Sequence, residues 1–271
     1  MNHFCSSKVA LTEDTLIAFG DSWFDYSRWA CDCDGRTDAL QELRVHGFQV
    51  IREALQGTRI RDTSVAALQL SRLPGRIEEQ LRSGRNIKAI LLSGGGNDIA
   101  DQFFRLLNPA HQGEAWLNEE MTVSLIDRKI RNAFVNWLSS INKICLSASG
   151  LQRTLPILIH GYDYPIPDGR GHCLPFKTPW LAPVFQKQGY NDLELRVRYA
   201  RHIIDRFNAM LACLPQRSEL PNVQYVNLLG TLPGEFEKWS YRRYWENELH
   251  PTKQGWMLIS QKFREALARL D

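Results

Sequence analysis

Residues 89–94, AILLSG, and 155–161, LPILIHG, are apolar almost without interruption yet only long enough for a strand. A strand with no polar face must be covered on both sides, as in the interior of a parallel sheet flanked by helices. Three further short runs belong with them: TLIAFG at 15–20, FQVIREAL at 48–55 and VQYVNLL at 223–229. The 48–55 run carries Arg52 and Glu53, which a central strand tolerates poorly, so it is assigned to an edge. Between the runs the apolar period lengthens to three and four. Ile126, Ile130, Ala133, Phe134, Trp137, Ile141 and Ile144 mark one helix. Val197, Ala200, Ile203, Ile204, Phe207 and Leu211 mark another, after Asn191 and Glu194 spaced as an N-cap and its return partner. A last helix is expected from about 252 to 270. This alternation predicts an α/β chain: a three-layer α/β/α, flavodoxin-like doubly wound parallel sheet of about five strands, with its site at their carboxyl ends.

A chain of 271 residues is long enough to bury roughly 70–75% of its unfolded surface without staples. It reads as one domain over 1–271, with loop insertions near 108–120, 162–189 and 230–249. Lys and Arg number 33 against 30 Asp and Glu, and they are scattered, so no nucleic-acid partner is expected. No apolar run reaches the roughly 18–20 residues that span a bilayer, so no integral membrane segment is expected. The first residues, MNHFCSSKVALTEDTL, show neither a basic lead nor a secretory apolar stretch. The cytoplasm is the default expectation, with signal-independent export left open. The six cysteines lie far apart and read as free thiols, and the Cys31–x–Cys33 pair has no second pair at zinc spacing. No metal and no cofactor are expected. The dinucleotide fingerprint fails because Ile99 stands where the third glycine belongs, and no Lys-Ser or Lys-Thr completes a phosphate loop.

Three motifs lie where chemistry would sit. FGDSWFDY, residues 19–26, ends the first strand and exposes the Ser22 hydroxyl and N–H at the sheet edge. SGGGND, residues 93–98, ends a buried strand with glycines that allow close backbone approach and holds Asn97 as a donor. NELHPTKQGW, residues 247–256, frames His250 at the start of the last helix. Each alone is also an ordinary turn or helix cap. His160 ends the fourth strand, where a packed structural role is the simpler reading. Gly57, just past the second strand, adds a flexible backbone donor.

Taken in this order, the motifs resemble the four blocks of the SGNH (GDSL-type) hydrolase superfamily, and they span residues 19–256. The resemblance implies Ser22 as nucleophile, His250 as general base, and Ser22, Gly57 and Asn97 as oxyanion donors, with Asp98 completing the Gly-x-Asn-Asp block. Neither G-x-S-x-G nor H-E-x-x-H occurs. One position departs from the family: the acid three residues before the histidine is replaced by Asn247. The His250 Nδ1 proton then has three possible acceptors: the Asn247 side chain, a backbone carbonyl of residues 245–248, or the carboxylate of Glu246 or Glu248. The expected activity is serine ester hydrolysis of the esterase, lipase or deacetylase type, on a small-molecule ester, a lipid or an acylated carbohydrate. The competing class is a catalytically impaired lipid- or carbohydrate-binding protein on the same fold. Aromatic residues crowd the motifs, and Trp23, Tyr162, Trp180 and Trp245 are the candidates to line the substrate.

Overall fold

In the computed structural model, which describes residues 14–26, 38–113, 115–171, 178–233 and 239–270, the apolar runs form one all-parallel sheet. Its strands are β1 (Asp14–Phe19), β2 (Gln49–Arg52), β3 (Asn86–Leu92), β4 (Ile157–His160) and β5 (Val223–Val226), in the order β2-β1-β3-β4-β5. The chain steps one way from β1 to β2 and the other way from β2 through β5. Right-handed crossovers therefore send the connecting helices to opposite faces. Helix α1 (Ala39–Val45) follows β1, and α2 (Thr63–Leu70) and α3 (Leu73–Arg82) follow β2. Next come α4 (Gly96–Leu106), the short α5 (Glu119–Thr122), α6 (Arg131–Ser147), α7 (Ala182–Lys187), α8 (Leu193–Ala212) and α9 (Lys253–Leu267). Helices α1 and α9 pack together, while α2 and α3 both pack on α6. The result is the three-layer α/β/α fold.

The strand burial explains the order. All four residues of β4 and the last four of β3 are buried, as interior strands require. β2 lies at the edge, where Arg52 pairs with Asp25 and Asp38, and the buried Glu53 pairs with Arg72 and Arg76.

Two local expectations are corrected. The N-cap of α8 is Asp192, whose side chain accepts from the Leu195 N–H; Asn191 lies one residue too early. The periodic run starting at Ile126 begins in a π-helical stretch, Val123–Ile130, and becomes α-helical only at Arg131. Of the expected insertions, 162–189 contains α7 and its residues 172–177 lie outside the described residues, as do 114 and 234–238. Cys145 and Cys213 are free thiols; Cys5, Cys31, Cys33 and Cys173 lie outside the described residues.

The strand order places a topological switch point between β1 and β3, where connections leave toward opposite faces and a crevice opens at the carboxyl ends. Ser22 follows β1 and Asn97 follows β3. Their two strand ends are in contact: Gly20 has φ +119°, and a Cβ there would stand 1.9 Å from the Ser93 carbonyl oxygen. Only glycine fits. The Gln69 side chain clamps this glycine, accepting from its N–H and donating to its carbonyl.

Candidate active site

Ser22 sits one turn beyond β1, buried, with its Oγ 2.9 Å from His250 Nε2. The two residues are 228 positions apart and meet because β1 and the segment leading into α9 converge at the same edge of the sheet. Pro251 and Thr252 end that segment, and the Thr252 side chain caps α9 by accepting from the Gly255 N–H.

The ring of His250 is fixed from behind by Asn247. Asn247 Oδ1 accepts from the backbone N–H groups of Leu249 (3.0 Å) and His250 (2.9 Å), an Asx turn, and lies 3.2 Å from His250 Nδ1. Backbone N–H groups can only donate, so the oxygen must be the atom that faces them. That oxygen can only accept, so Nδ1 carries the ring proton and Nε2 presents its lone pair to Ser22. Asn247 Nδ2 donates in turn to the Tyr26 hydroxyl at 2.9 Å. Of the three acceptors open at the sequence level, the Asn247 side chain lies against Nδ1.

Glu248 is turned elsewhere. Its carboxylate is fully buried and accepts from the N–H groups of Gly169, Trp180, Leu181 and Ala182. Burial pushes its pKa up, against the pull of those four donors. It staples the 162–189 segment to the histidine segment.

Asn97 lines the cleft at the start of α4. One Nδ2 hydrogen goes to the Thr58 carbonyl at 3.0 Å, which aims the amide and leaves the other hydrogen available. Thr58 closes a turn by donating to Leu55, with Gly57 at φ +77° as a type II turn requires. Gly57 itself is exposed and outside the cleft lining. Asp98 points away from the cleft and holds the loop after β2, accepting from the Ile60 N–H and from the Arg61 N–H and Nε.

Sequence reasoning assigned no role to Asp21, which joins three strand ends. Its buried carboxylate accepts from Ser93 Oγ, the Tyr162 hydroxyl and the Trp23 N–H. Burial pushes its pKa up while these donors pull it down. Tyr162 also accepts from the Gly96 N–H, so its hydroxyl is committed to the scaffold although its ring forms cleft wall. The only hint in the sequence was an acid between Gly20 and Ser22.

A cleft opens beside Ser22 and His250. Its far wall is apolar, built by Ile99, Ala100 and Phe103 of α4 facing Ala200, Ile203 and Ile204 of α8. Trp23 and Trp245 line it, and the Trp23 indole N–H donates to the Leu249 carbonyl. Trp180 stands edge-on to the His250 ring, centroids 5.9 Å apart, outside the cleft lining. His160 is fully buried behind Trp23 and outside the lining. No cluster of metal-ligating side chains is found among the described residues, and no described helix is long and apolar enough to cross a membrane.

Among solved structures, the chain is similar to an extracellular lipase from Streptomyces rimosus: 17% identity, TM-score 0.56, 93% of this chain and 99% of that one. It is also similar to the inhibitor-bound form of an M. smegmatis aryl esterase, at 12% identity and TM-score 0.50, covering 95% of this chain and 100% of that one. No family model matches the chain, and a search of curated proteins finds no match. The chain thus has a fold shared with ester hydrolases, the one the SGNH resemblance implied.

Proposed function

We propose that this protein is a serine ester hydrolase of the SGNH type that takes the acyl group of its substrate into the apolar cleft. The observation that carries the reading is the 2.9 Å contact of Ser22 Oγ with a His250 Nε2 whose lone pair is forced to face it. A serine hydroxyl becomes a competent nucleophile when a neighbouring imidazole accepts its proton during attack. In this mechanism Oγ bonds to the ester carbonyl carbon as its proton moves to Nε2. The carbonyl oxygen becomes an oxyanion, which in this reading the Ser22 N–H and the second Asn97 Nδ2 hydrogen hold. Collapse breaks the bond to the alcohol oxygen, which leaves with the Nε2 proton. Water, deprotonated by the same nitrogen, then releases the acid and restores Ser22. Gly57, proposed from sequence as a third donor, acts in this reading through the turn that presents the Thr58 carbonyl to Asn97.

The apolar wall favours an ester with an aliphatic acyl chain over an acetylated sugar, because the side chains that build it, Ile99, Ala100, Phe103, Ala200, Ile203 and Ile204, offer hydrocarbon surface and no hydrogen-bonding partner for sugar hydroxyls. The competing reading, a binding protein without turnover, is favoured by the neutral Asn247 in the place of an acid. Hydrolysis of p-nitrophenyl esters from acetyl to palmitoyl decides. A hydrolase turns them over with a maximum beyond acetyl and loses the activity in Ser22→Ala. Turnover that is absent, or equal in Ser22→Ala, removes the reading.

A further inference from the structure

A carboxylate three residues before the histidine would stabilise the imidazolium that forms as Ser22 is deprotonated. A neutral amide orients the ring but supplies less of that stabilisation. The surroundings of Asn247 hold a carboxylate one step further away. The Tyr26 hydroxyl, which accepts from Asn247 Nδ2, lies 3.3 Å from Glu246 Oε1 and donates to it. The Tyr26 ring also stacks on His250, centroids 4.1 Å apart and planes 23° from parallel.

Every donor direction in this chain of contacts is determined. Asn247 Oδ1 is committed to N–H donors, so its nitrogen faces Tyr26, and Tyr26 has only its own hydrogen left to give to Glu246. Burial first, and then the Glu246 charge, hold the Tyr26 pKa well above the ordinary tyrosine value, so the hydroxyl keeps that hydrogen. The carboxylate thus polarises the hydroxyl, the hydroxyl polarises the amide, and the amide oxygen faces the Nδ1 proton. Linked hydrogen bonds strengthen one another in a buried setting, and an aromatic face attracts a cation laid against it.

Resting on the serine-hydrolase reading, we propose that Tyr26 and Glu246 are positioning residues that substitute for the missing triad carboxylate. They relay its charge to His250 through Asn247 and cover the face of the ring. The other charged groups around the histidine are held by other partners. Asp21 is held by Ser93, Tyr162 and Trp23. Asp163, on the cleft, accepts from the N–H groups of Tyr164, Gly230 and Leu232. Glu248 holds the 162–189 segment. Arg170 donates to the Trp245 and Glu246 carbonyls and pairs with Asp168, and Asp25 pairs with Arg52.

The test is the pH dependence of kcat and KM for Glu246→Gln and Tyr26→Phe, each in the parent and in an Asn247→Asp background. Glu246→Gln keeps an acceptor for Tyr26 and removes only charge. It should lower kcat about 3–10-fold at constant KM and move the acidic limb of the profile to lower pH. Tyr26→Phe should lower kcat about 10–100-fold with a shift in the same direction. In the Asn247→Asp background, where a carboxylate touches the ring directly, Glu246→Gln should no longer slow the enzyme. Unshifted profiles, or a loss that persists unchanged in the Asn247→Asp background, overturn the relay. Glu246 is half-buried, so its variant decides even if Tyr26→Phe fails to fold. Fluorophosphonate labelling of the same preparations separates the two levels. A labelled parent with unshifted profiles overturns the relay alone. An unlabelled parent overturns the hydrolase reading and the relay with it.

Discussion

Asn247 Oδ1 lies 3.2 Å from His250 Nδ1 and simultaneously accepts the His250 backbone N–H at 2.9 Å, so one amide oxygen fixes both the position of the residue and the tautomer of its ring. Asn247→Asp keeps both contacts and adds a negative charge beside the ring. The charged imidazolium is then favoured, so the kinetic pKa of the base should rise by about one unit with kcat maintained or higher. A pH profile of kcat/KM measures this. An unmoved profile would mean that residue 247 does not touch the base in solution.

Ser22→Ala and His250→Ala should each remove nearly all turnover, and the double variant should be no worse than either alone, because the pair acts as one unit. Rates on a p-nitrophenyl ester give the comparison. Losses that multiply would show two groups working independently.

Ala200 lines the cleft from α8, across from α4, and a larger side chain there fills the acyl space. Ala200→Phe should cut kcat/KM for long-chain esters by about 10–100-fold, within the 1–3 kcal/mol range of hydrophobic pocket discrimination, and change acetyl ester hydrolysis much less. A ranking of chain lengths that does not change would place the acyl group elsewhere.

His160 is fully buried among Trp23, Phe24, Tyr162 and Phe263, and its Nε2 has no hydrogen-bond partner among the described residues. Burial pushes its pKa down to about 4, from an ordinary value of 6.5. The unfolded chain therefore takes up this proton first. Stability is unaffected by His160 above about pH 6.5 and falls as pH drops from there toward 4, by about 3 kcal/mol in all. Urea denaturation at several pH values, parent against His160→Leu, should show the parent losing more stability over that window. Parallel curves would mean the imidazole is solvated or paired.

Glu248 accepts from the N–H groups of Gly169, Trp180, Leu181 and Ala182, which engage both oxygens of its carboxylate. Glu248→Gln retains one oxygen and turns an NH2 group toward donors. It should cost about 2–4 kcal/mol of stability, as expected for leaving buried charge-assisted bonds unmade. The acidic limb of the pH profile should stay in place. A shifted limb at unchanged stability would make Glu248 the acid behind His250.

The interior strands were legible because β3 and β4 are apolar on both faces, and the edge position of β2 followed from Arg52 and Glu53. Helix α2, TSVAALQL, was missed because its apolar residues are spread around the axis and leave no stripe to count. The π-helical stretch was invisible because Ile126 and Ile130, both inside it, keep α-like spacing. In the candidate site, Ser22, Asn97 and His250 could be singled out because each sits in a turn signature at a strand end or helix start, and the fold brings them to one cleft. The contacts that hold them were not. Tyr26 and Asn247 are 221 residues apart, and Asp21 and Tyr162 are 141 apart, separations that only the closed sheet brings together.

Covalent capture of Ser22 by a fluorophosphonate, followed by intact-mass measurement and peptide mapping, tests the central claim most directly. The reagent reacts with a serine only when a base activates it, so a pocket alone does not suffice. Stoichiometric addition at Ser22, lost in Ser22→Ala and slowed at least about 100-fold in His250→Ala, is the result expected of a serine hydrolase. A protein that binds esters yet remains unlabelled, or is labelled equally well in His250→Ala, would contradict it.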